Sequence, residues 1–335
     1  MRRGHHIDLV VDTACMGYSL RTFIQRAPRG FTMVELLVAI AIIGLLLAMV
    51  LPAVQRSRAT SQNMSCKNSL KQIALAANAY EESNSVLPVS NLPCRRLLPF
   101  VGHSALYNVI EKDPAVIEQL DLGVTEYLCP SDPEARASSG HISYLVNQGS
   151  GDYRLDPSIS FDGARPGPFS FSKIRDFTDG TSNTTLFAER KIVVEPTRIT
   201  SDDVTMRDPN RYMWLLNRDF QLPSFTEFVA FRAECLSSRA TAIPQHGIPS
   251  NYKLQLDDGY SHGLTPNRPG CHNNTPSGTR YLMSEESLIS ATSHHPGGVN
   301  VGFVDGHVRF IMDAIDAGVW TAISTRRGNE IVSDF

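Results

Sequence analysis

Between residues 31 and 52 the chain is almost continuously apolar, from Phe31 to Pro52. The 20 positions between Glu35 and Arg56 carry no charge, which is about the number that a helix rising 1.5 Å per residue needs to cross ~30 Å of hydrocarbon. A helix also satisfies its own backbone hydrogen bonds in lipid. The pattern therefore predicts a transmembrane helix over residues 31–53. Glu35 is the exception, since a carboxylate inside such a run is costly and usually has a partner.

After Pro52 the apolar positions follow a helical period. Steps of four and three residues separate the members of one apolar stripe, which are Cys66, Leu70, Ile73, Ala77 and Tyr80. Polar residues occupy the other face, and small polar residues followed by Pro88 mark its end. We predict an amphipathic stalk helix over residues 54–84 whose stripe packs on a sheet.

Two apolar runs near the C-terminus flank Asp305-Gly306. Asp-Gly between such runs is a strong signal for a two-residue hairpin, because a type I′ turn requires positive φ at both positions. This turn would pair residue 303 with 308 and residue 301 with 310. It would place six apolar side chains on one face: Val299, Val301, Phe303, Val308, Phe310 and Met312. Residues 184–190 are also predicted to form a strand, and residues 102–111 a short helix.

The segment from Arg29 to Leu37 resembles the class III signal of type IV prepilins and type II secretion pseudopilins. The resemblance implies that a prepilin peptidase cleaves after Gly30 and methylates the new N-terminus, Phe31. It also implies that Glu35 neutralises the N-terminal ammonium of a neighbouring subunit, and that Pro52 lies where many of these helices kink. The alternative is an ordinary signal anchor, although a secretory apolar region has only about 7–15 residues and ends in an Ala-x-Ala-like site.

Further stretches resemble the large bacterial family of unknown function called DUF1559. They comprise residues 68–76, 127–133, 176–184 and 295–301, together with Asp305-Gly306. Members of that family join a prepilin-type N-terminus to a head that ends in a His-x9-Asp-Gly element, here His295, Asp305 and Gly306. Residues 85–335 would form this head, with 196–290 as an insertion. The predicted fold is therefore α+β and pilin-like, with one long transmembrane-plus-stalk helix packed on a mostly antiparallel sheet.

Residues 1–30 form the predicted leader, which holds five arginines and two aspartates. By the positive-inside rule, the basic leader favours a cytoplasmic N-terminus. A single-pass protein of the bacterial cytoplasmic membrane, with a periplasmic or extracellular head, follows from that orientation. Arg56 and Arg58 argue weakly for the opposite orientation. Because the leader is long for its class, Met16 is an alternative start to Met1.

The composition is that of a folded globular protein, with 42% hydrophobic and 19% charged residues and a formal net charge of −3. Since the leader is basic, the remaining chain is mildly acidic, which gives no reason to expect a nucleic-acid partner. The expected partners are instead prepilin peptidase, membrane lipid and other pilin-like subunits that pack through their N-terminal helices.

Five cysteines follow the leader, and none of them lies in a Cys-x-x-Cys pair, which disfavours a zinc knuckle. Disulfides persist outside the cytoplasm. We favour a disulfide between Cys66 and Cys129 that joins the stalk helix to the head. The odd count leaves at least one thiol unpaired or bonded between chains, and buried free thiols are the alternative interpretation.

Asp176, Asp179 and Asn183 lie in an oxygen-rich loop that could ligate Ca²⁺, although the spacing is not that of an EF-hand. The alternative is a turn held by Asp and Asn side chains that bond their own backbone. No other cofactor is expected.

Histidines and acids near the C-terminus could bind zinc. They are His294, His295, Asp305 and His307, with His262 and His272 nearby. Local turns and strands account for the same residues, and we favour that structural interpretation. The chain has no nucleophile elbow, zincin motif, P-loop or dinucleotide fingerprint, so we do not expect an enzyme.

Two functions remain open at this point. The first is a membrane-anchored, pseudopilin-like structural subunit of a type II secretion or type IV pilus-like assembly. The second is a membrane-tethered binding module that never polymerises, which the large head and residues 196–290 favour because long loops often carry recognition. A tethered hydrolase rests only on scattered His and Asp residues.

Overall fold

A computed structural model describes ten stretches of the chain. These are residues 32–88, 93–113, 124–137, 141–150, 172–192, 208–211, 213–216, 225–237, 259–272 and 287–330. The chain divides into two compact units, of which the first ends at Val54 and the second begins at Gln55.

Five α-helices occur within the described residues. They are α1 (Met33–Asn84), α2 (Pro93–Leu97), α3 (Ser104–Lys112), α4 (Phe225–Ser237) and α5 (Ala317–Ala322). The predicted transmembrane and stalk segments are thus parts of one continuous helix, and α3 confirms the short helix predicted over 102–111.

Eight strands form two sheets in the described part of the chain. They are β1 (Tyr144–Asn147), β2 (Thr185–Glu189), β3 (Met213–Leu215), β4 (Gly259–Tyr260), β5 (Gly270–His272), β6 (Ser287–Leu288), β7 (Gly298–Phe303) and β8 (Val308–Met312). The main sheet has the order β4-β1-β2-β7-β8, and only the β4–β1 pair in it is parallel. A long N-terminal helix with this mostly antiparallel sheet confirms the α+β, pilin-like fold class.

The second half of α1 supplies one wall of the main core. Cys66, Leu70, Ile73 and Ala77 of the predicted stripe are fully buried, and Tyr80 is half-buried. The helix contacts the sheet through polar groups as well, since Nδ2 of Asn300 in β7 donates to Oδ1 of Asn63 at 2.9 Å. The period-3.6 stripe is therefore the face that packs, as predicted.

The hairpin that joins β7 to β8 is present, but its predicted register was wrong. Gly302 pairs with Val308, and Val301 pairs with Arg309, one residue away from the predicted alignment. The loop has three residues, because the N–H of Phe303 donates to the carbonyl of His307 at 2.9 Å and the N–H of Gly306 donates to the carbonyl of Phe303 at 2.9 Å.

The turn chemistry explains the shift. Only Gly306 has positive φ, at 90°, in the Asp305-Gly306 pair, whereas a type I′ turn requires it at both positions. The carboxylate of Asp305 accepts a hydrogen bond from the backbone N–H of His307 at 3.0 Å, which is how Asp stabilises a turn at its own position. Consequently the six apolar residues do not share a face, and Met312 is 64% exposed.

A second, smaller core lies outside the main one. Strands β3, β5 and β6 form a three-stranded sheet, and a disulfide joins Cys235 of α4 to Cys271 of β5. Phe228 and Phe231 of α4 pack in this core with Leu264 and Leu288.

The predicted insertion over 196–290 contributes to both cores. Its β3, α4 and β5 belong to the smaller core, but β4 pairs with β1 in the main sheet, and Tyr260 is fully buried in the main core. The boundaries of the insertion, 196 and 290, stay a prediction. Its residues do not form a separate domain, because they contribute to both cores.

His262 is a fully buried histidine of the main core. Its Nδ1 lies 2.6 Å from the carbonyl oxygen of Trp320, which can only accept, so Nδ1 carries the proton. Nε2 then accepts from the hydroxyl of Thr185 at 3.1 Å, and the hydroxyl of Tyr260 donates in turn to Oγ1 of Thr185 at 3.1 Å. Burial lowers the pKa of His262 to about 3, against the opposing effect of the bond to Trp320. The ring is therefore neutral in the folded protein at neutral pH.

Replacing Leu70 should destabilise the head strongly. Leu70 of α1 is fully buried on the side of the helix that packs on the sheet. Leu70→Ala leaves a cavity there, which typically costs about 2–5 kcal/mol in free energy of unfolding. Leu75→Ala is the matched control on the same helix, because Leu75 is 51% exposed and should cost about 1 kcal/mol or less. Denaturant unfolding of the two variants measures the difference, and equal losses would contradict the packing described.

The neutral His262 predicts a component of acid lability. Below the ordinary pKa of about 6.5 the unfolded chain binds a proton that the folded chain excludes, so stability falls as pH falls from about 6.5 towards 3. Between pH 7 and pH 5 this amounts to about 2 kcal/mol. His262→Gln should show a correspondingly shallower pH dependence of the unfolding free energy than the wild type. Parallel pH profiles of the two proteins would contradict the assignment.

Candidate functional site

Helix α1 begins with a reciprocal capping arrangement between Thr32 and Glu35. The Oγ1 of Thr32 accepts the N–H of Glu35 at 3.2 Å, and Oε2 of Glu35 accepts the N–H and the hydroxyl of Thr32 at 2.9 and 2.8 Å. This capping box satisfies backbone donors that a helix start leaves open. The carboxylate is exposed and stands in the first turn. Gly30 and Phe31 lie outside the described residues.

Residues 33–54 of the first unit present an apolar surface. From Met33 to Val54 the large apolar side chains are exposed, and the most apolar 18-residue window of α1 has none of its residues buried. By length and composition α1 is able to cross a membrane. The helix continues through Pro52, which has no N–H to donate to the carbonyl of Ala48. A kink at Pro52 stays a prediction.

In the second unit, the structure joins Cys66 of α1 to Cys129 by a disulfide, with the Cα atoms 5.0 Å apart. The hydroxyl of Tyr144 donates to the carbonyl of Cys66 at 3.3 Å, and the N–H of Cys129 donates to Oγ of Ser143 at 3.0 Å. The bridge therefore connects the helix to the residues that lead into and begin β1.

A buried acid and a buried histidine lie against this disulfide. Glu189 at the end of β2 is 2% exposed and His295 is 4% exposed, and Nε2 of His295 lies 3.2 Å from Oε1 of Glu189. The same Nε2 lies 3.8 Å from Sγ of Cys129. Asn300 orients the carboxylate, because its N–H donates to Oε2 at 2.8 Å and its Nδ2 donates to Oε1 at 2.9 Å.

A second polar cluster is centred on Asp132. Its Oδ1 accepts from Nη2 of Arg211 at 2.9 Å, and its Oδ2 accepts the N–H of Ile192 at 2.7 Å. Nε2 of His294 lies 3.4 Å from the same carboxylate. Burial raises the pKa of Asp132, but the hydrogen bond to His294 and the positive charge of Arg211 outweigh it, so the pKa lies below its ordinary value.

The described side chains among the histidines and acids considered for zinc do not come together, and the side chain of His272 lies outside them. His294 contacts Asp132, whereas His295 contacts Glu189 and Cys129. Nδ1 of His307 lies 2.5 Å from its neighbour Asp305 in the hairpin loop. The favoured structural interpretation fits these positions, with the exception of His295, whose surroundings the sequence did not reveal.

The oxygen-rich loop holds the chain near its C-terminal end. Oδ2 of Asp179 accepts the N–H of Gly328 at 2.7 Å, and its Oδ1 accepts the N–H of Asn329 at 2.9 Å. Asp176 accepts from Arg327 at 3.1 Å, and Nδ2 of Asn183 donates to the carbonyl of Asp179 at 3.0 Å. Asn183 bonds within its own turn, as the turn interpretation requires, whereas the carboxylates of Asp176 and Asp179 also accept from residues 327–329, far along the sequence. Calcium binding here stays a prediction, and calorimetry with added Ca²⁺ tests it.

The other described cysteines also have defined states. Cys235 and Cys271 are joined, and Cys94 is a buried free thiol. Burial raises the pKa of the Cys94 thiol to about 12. A thiol with this pKa is protonated and unreactive at neutral pH.

Several residues of these clusters escaped the sequence analysis. Glu189 lies in a predicted strand and Asp132 lies within one of the quoted motifs, yet neither position indicated a buried polar cluster. Asn300 also lies within a quoted motif, residues 295–301, which gave no sign of this role, and Arg211 carried no signal at all. A buried charged residue needs a partner, and a sequence indicates such a pair only when the two residues are close in the chain. Here the partners are distant in sequence.

Comparison with known proteins identifies the chain. The family described as "Protein of unknown function (DUF1559)" matches residues 55–318, more than half of the chain. The chain belongs to the DUF1559 family. The prokaryotic N-terminal methylation motif matches residues 25–51, so this DUF1559 protein is pilin-like and carries a signal for prepilin peptidase. No curated protein and no solved structure matches the chain significantly.

Removing Asp132 should destabilise the head more than removing Asp208. Asp132→Ala leaves the buried guanidinium of Arg211 without this carboxylate, and breaking a buried pair typically costs about 3–5 kcal/mol. Asp208 pairs with Lys191 at 2.6 Å, and its side chain is 28% exposed although that of Lys191 is only 9% exposed. Because water reaches this pair from one side, Asp208→Ala should cost less than Asp132→Ala. Denaturant unfolding distinguishes the two variants, and a smaller loss for Asp132→Ala would refute the ranking.

Proposed function

We propose that this DUF1559 protein is a membrane-anchored, pseudopilin-like structural subunit of a type II secretion or type IV pilus-like assembly. The observation that carries the proposal is the part of α1 from Met33 to Val54, an apolar helical segment with exposed side chains on all sides and a single carboxylate in its first turn. A helix that is apolar all round needs lipid or other helices to cover it. The same segment can therefore anchor the subunit and later pack against its neighbours.

The proposed orientation places the N-terminus in the cytoplasm and the head outside the bacterial cytoplasmic membrane. The basic leader supports this orientation by the positive-inside rule. Two disulfides in the second unit, Cys66–Cys129 and Cys235–Cys271, are consistent with an oxidising compartment. The proposed partners are prepilin peptidase, membrane lipid and other pilin-like subunits. Proteins with the methylation motif are structural, and we propose no enzymatic activity.

Glu35 is proposed to pair with the methylated N-terminal amine of an adjacent subunit. Its carboxylate is exposed and bonds only to Thr32 among the described residues. In a low-dielectric environment a carboxylate gains much more from a cation than from a neutral hydroxyl. If the Glu35 carboxylate exchanged its contacts with Thr32 for the N-terminal ammonium of an adjacent subunit, this ion pair would favour the helix alignment that brings the two groups together.

The alternative is a membrane-tethered extracytoplasmic binding module that does not polymerise. The smaller core around α4 and β5 favours it, because this disulfide-linked body adds a surface beyond the sheet on which α1 packs. Cysteines introduced into the apolar half of α1 would cross-link between chains in cells only for a polymerising subunit.

The mature N-terminus tests the processing step. Mass spectrometry of the chain from cells with prepilin peptidase should find N-methylated Phe31 as the first residue. The chain from cells without the peptidase should retain Gly30 and the residues before it. A mature chain that begins elsewhere would refute the proposal.

Glu35→Ala should separate processing from assembly. The variant should be cleaved normally but should incorporate poorly into filaments, because the N-terminal amine of a neighbour loses its counter-charge. Thr32→Ala is the matched control, since it removes the hydroxyl of the capping box but keeps the carboxylate, and it should assemble. Filaments sheared from cells and quantified by immunoblot provide the measurement. Normal assembly of Glu35→Ala would count against the pairing mechanism.

A further inference from the structure

Four side chains with metal-ligating atoms meet beneath α1. They are Cys66, Cys129, Glu189 and His295, and one ligand atom from each lies within 4.8 Å of every other. All four residues are buried. In the part of the chain that the structure describes, no other group of His, Cys, Asp and Glu side chains has this arrangement. We propose that these four residues bind Zn²⁺ when the Cys66–Cys129 disulfide is reduced.

The donor set is one that zinc uses. Thiolate sulfur, imidazole nitrogen and carboxylate oxygen bind Zn²⁺ at about 2.0–2.3 Å in tetrahedral sites. These lengths place neighbouring ligand atoms about 3.3–3.8 Å apart. Nε2 of His295 lies 3.2 Å from Oε1 of Glu189 and 3.8 Å from Sγ of Cys129. Sγ of Cys129 lies 3.9 Å from the same carboxylate oxygen.

The two sulfur atoms must separate for the site to form. In the disulfide they are bonded to each other, whereas a tetrahedral zinc site needs them about 3.8 Å apart. The ligands come from α1, from the loop before β1, from the end of β2 and from the loop before β7. Because each of these segments is held by the sheet or by α1, we expect the four donors to stay close together after reduction.

The surrounding hydrogen bonds orient the ligands. Oε2 of Glu189 accepts the N–H of Asn300, while Nδ2 of Asn300 bridges from Oε1 of Glu189 to Oδ1 of Asn63. Nδ1 of His295 lies 3.5 Å from Oγ of Ser131, which leaves Nε2 directed towards the sulfurs. Such outer contacts hold metal ligands in position and are a regular part of zinc sites.

Charge also favours the ion. Glu189 is a buried carboxylate, and a buried carboxylate is costly unless a cation or hydrogen bonds compensate it. Reduction produces two further acidic groups, the thiols of Cys66 and Cys129. In this buried environment their deprotonation would need a nearby cation. A bound Zn²⁺ supplies the cation for all three groups.

The redox step balances with a dithiol as the reductant. The S–S bond breaks, the two sulfurs receive two electrons and two protons, and the dithiol becomes a disulfide. Zinc then displaces both thiol protons, because thiolate is the ligand form. Oxidation removes the thiolates and with them the site. The inference goes beyond the proposed assembly role and does not depend on it.

The full-length chain in detergent provides the test. After reduction with a phosphine, exposure to Zn²⁺ and removal of free metal, elemental analysis should find stoichiometric zinc on the reduced chain and none on the oxidised chain. Cys66→Ser/Cys129→Ser should lose the zinc. Cys235→Ser/Cys271→Ser is the matched control and should keep it, because that disulfide has no such partners among the described residues. Equal zinc on both double variants, or none on the reduced wild type, would overturn the proposal.

Cobalt provides a spectroscopic readout that a purely structural disulfide would not produce. Reduced wild-type chain with Co²⁺ should show sulfur-to-cobalt charge-transfer absorption and the visible bands of a tetrahedral ion. His295→Ala and Glu189→Gln should each weaken Zn²⁺ binding about 10–100-fold or more. Should either variant fail to fold, the wild-type spectrum decides by itself, since absence of the charge-transfer band would refute thiolate ligation.

Discussion

One helix has to satisfy two different environments along its length. From Leu36 to Val54 the large side chains of α1 are apolar on every side and exposed, so that this segment needs lipid or other helices around it. From Cys66 to Ala77 only one stripe is buried, because the rest of the helix faces water. The anchor and the head depend on this change from an all-apolar surface to a single apolar stripe.

The head stabilises its contact with α1 by polar as well as apolar means. Leu70 and Ile73 bury apolar surface, which is the main favourable term in folding. Half-buried Asn63 and the buried Asn300 and Glu189 form a hydrogen-bonded chain next to the disulfide. Polar groups in a low-dielectric interior are costly when unpaired and orient one another when paired. The network therefore specifies how the helix and the sheet align, beyond what apolar packing alone would select.

The His-x9-Asp-Gly element has two separate structural roles. His295 lies under α1 beside Glu189, while Asp305 and Gly306 shape the hairpin between β7 and β8. The strand β7 connects them, and its residues are buried on both faces. One short motif thus spans β7, with His295 in the interior beneath α1 and Asp305-Gly306 in the turn at the other end of the strand. The two parts have separate roles and do not need to contact each other.

Local patterns in the sequence determined the features that depend on near neighbours in the chain. The apolar run, the helical stripe from Cys66 to Tyr80 and strand β2 follow from periodicity, because a helix or a strand repeats its own geometry. Tertiary structure decided the remainder. The hairpin register depended on a single φ at Asp305, which the Asp-Gly pair does not dictate. The contacts of Glu189 with His295, and of Asp132 with Arg211, depend on how strands and loops that are far apart in sequence pack together. No local sequence pattern determines such contacts.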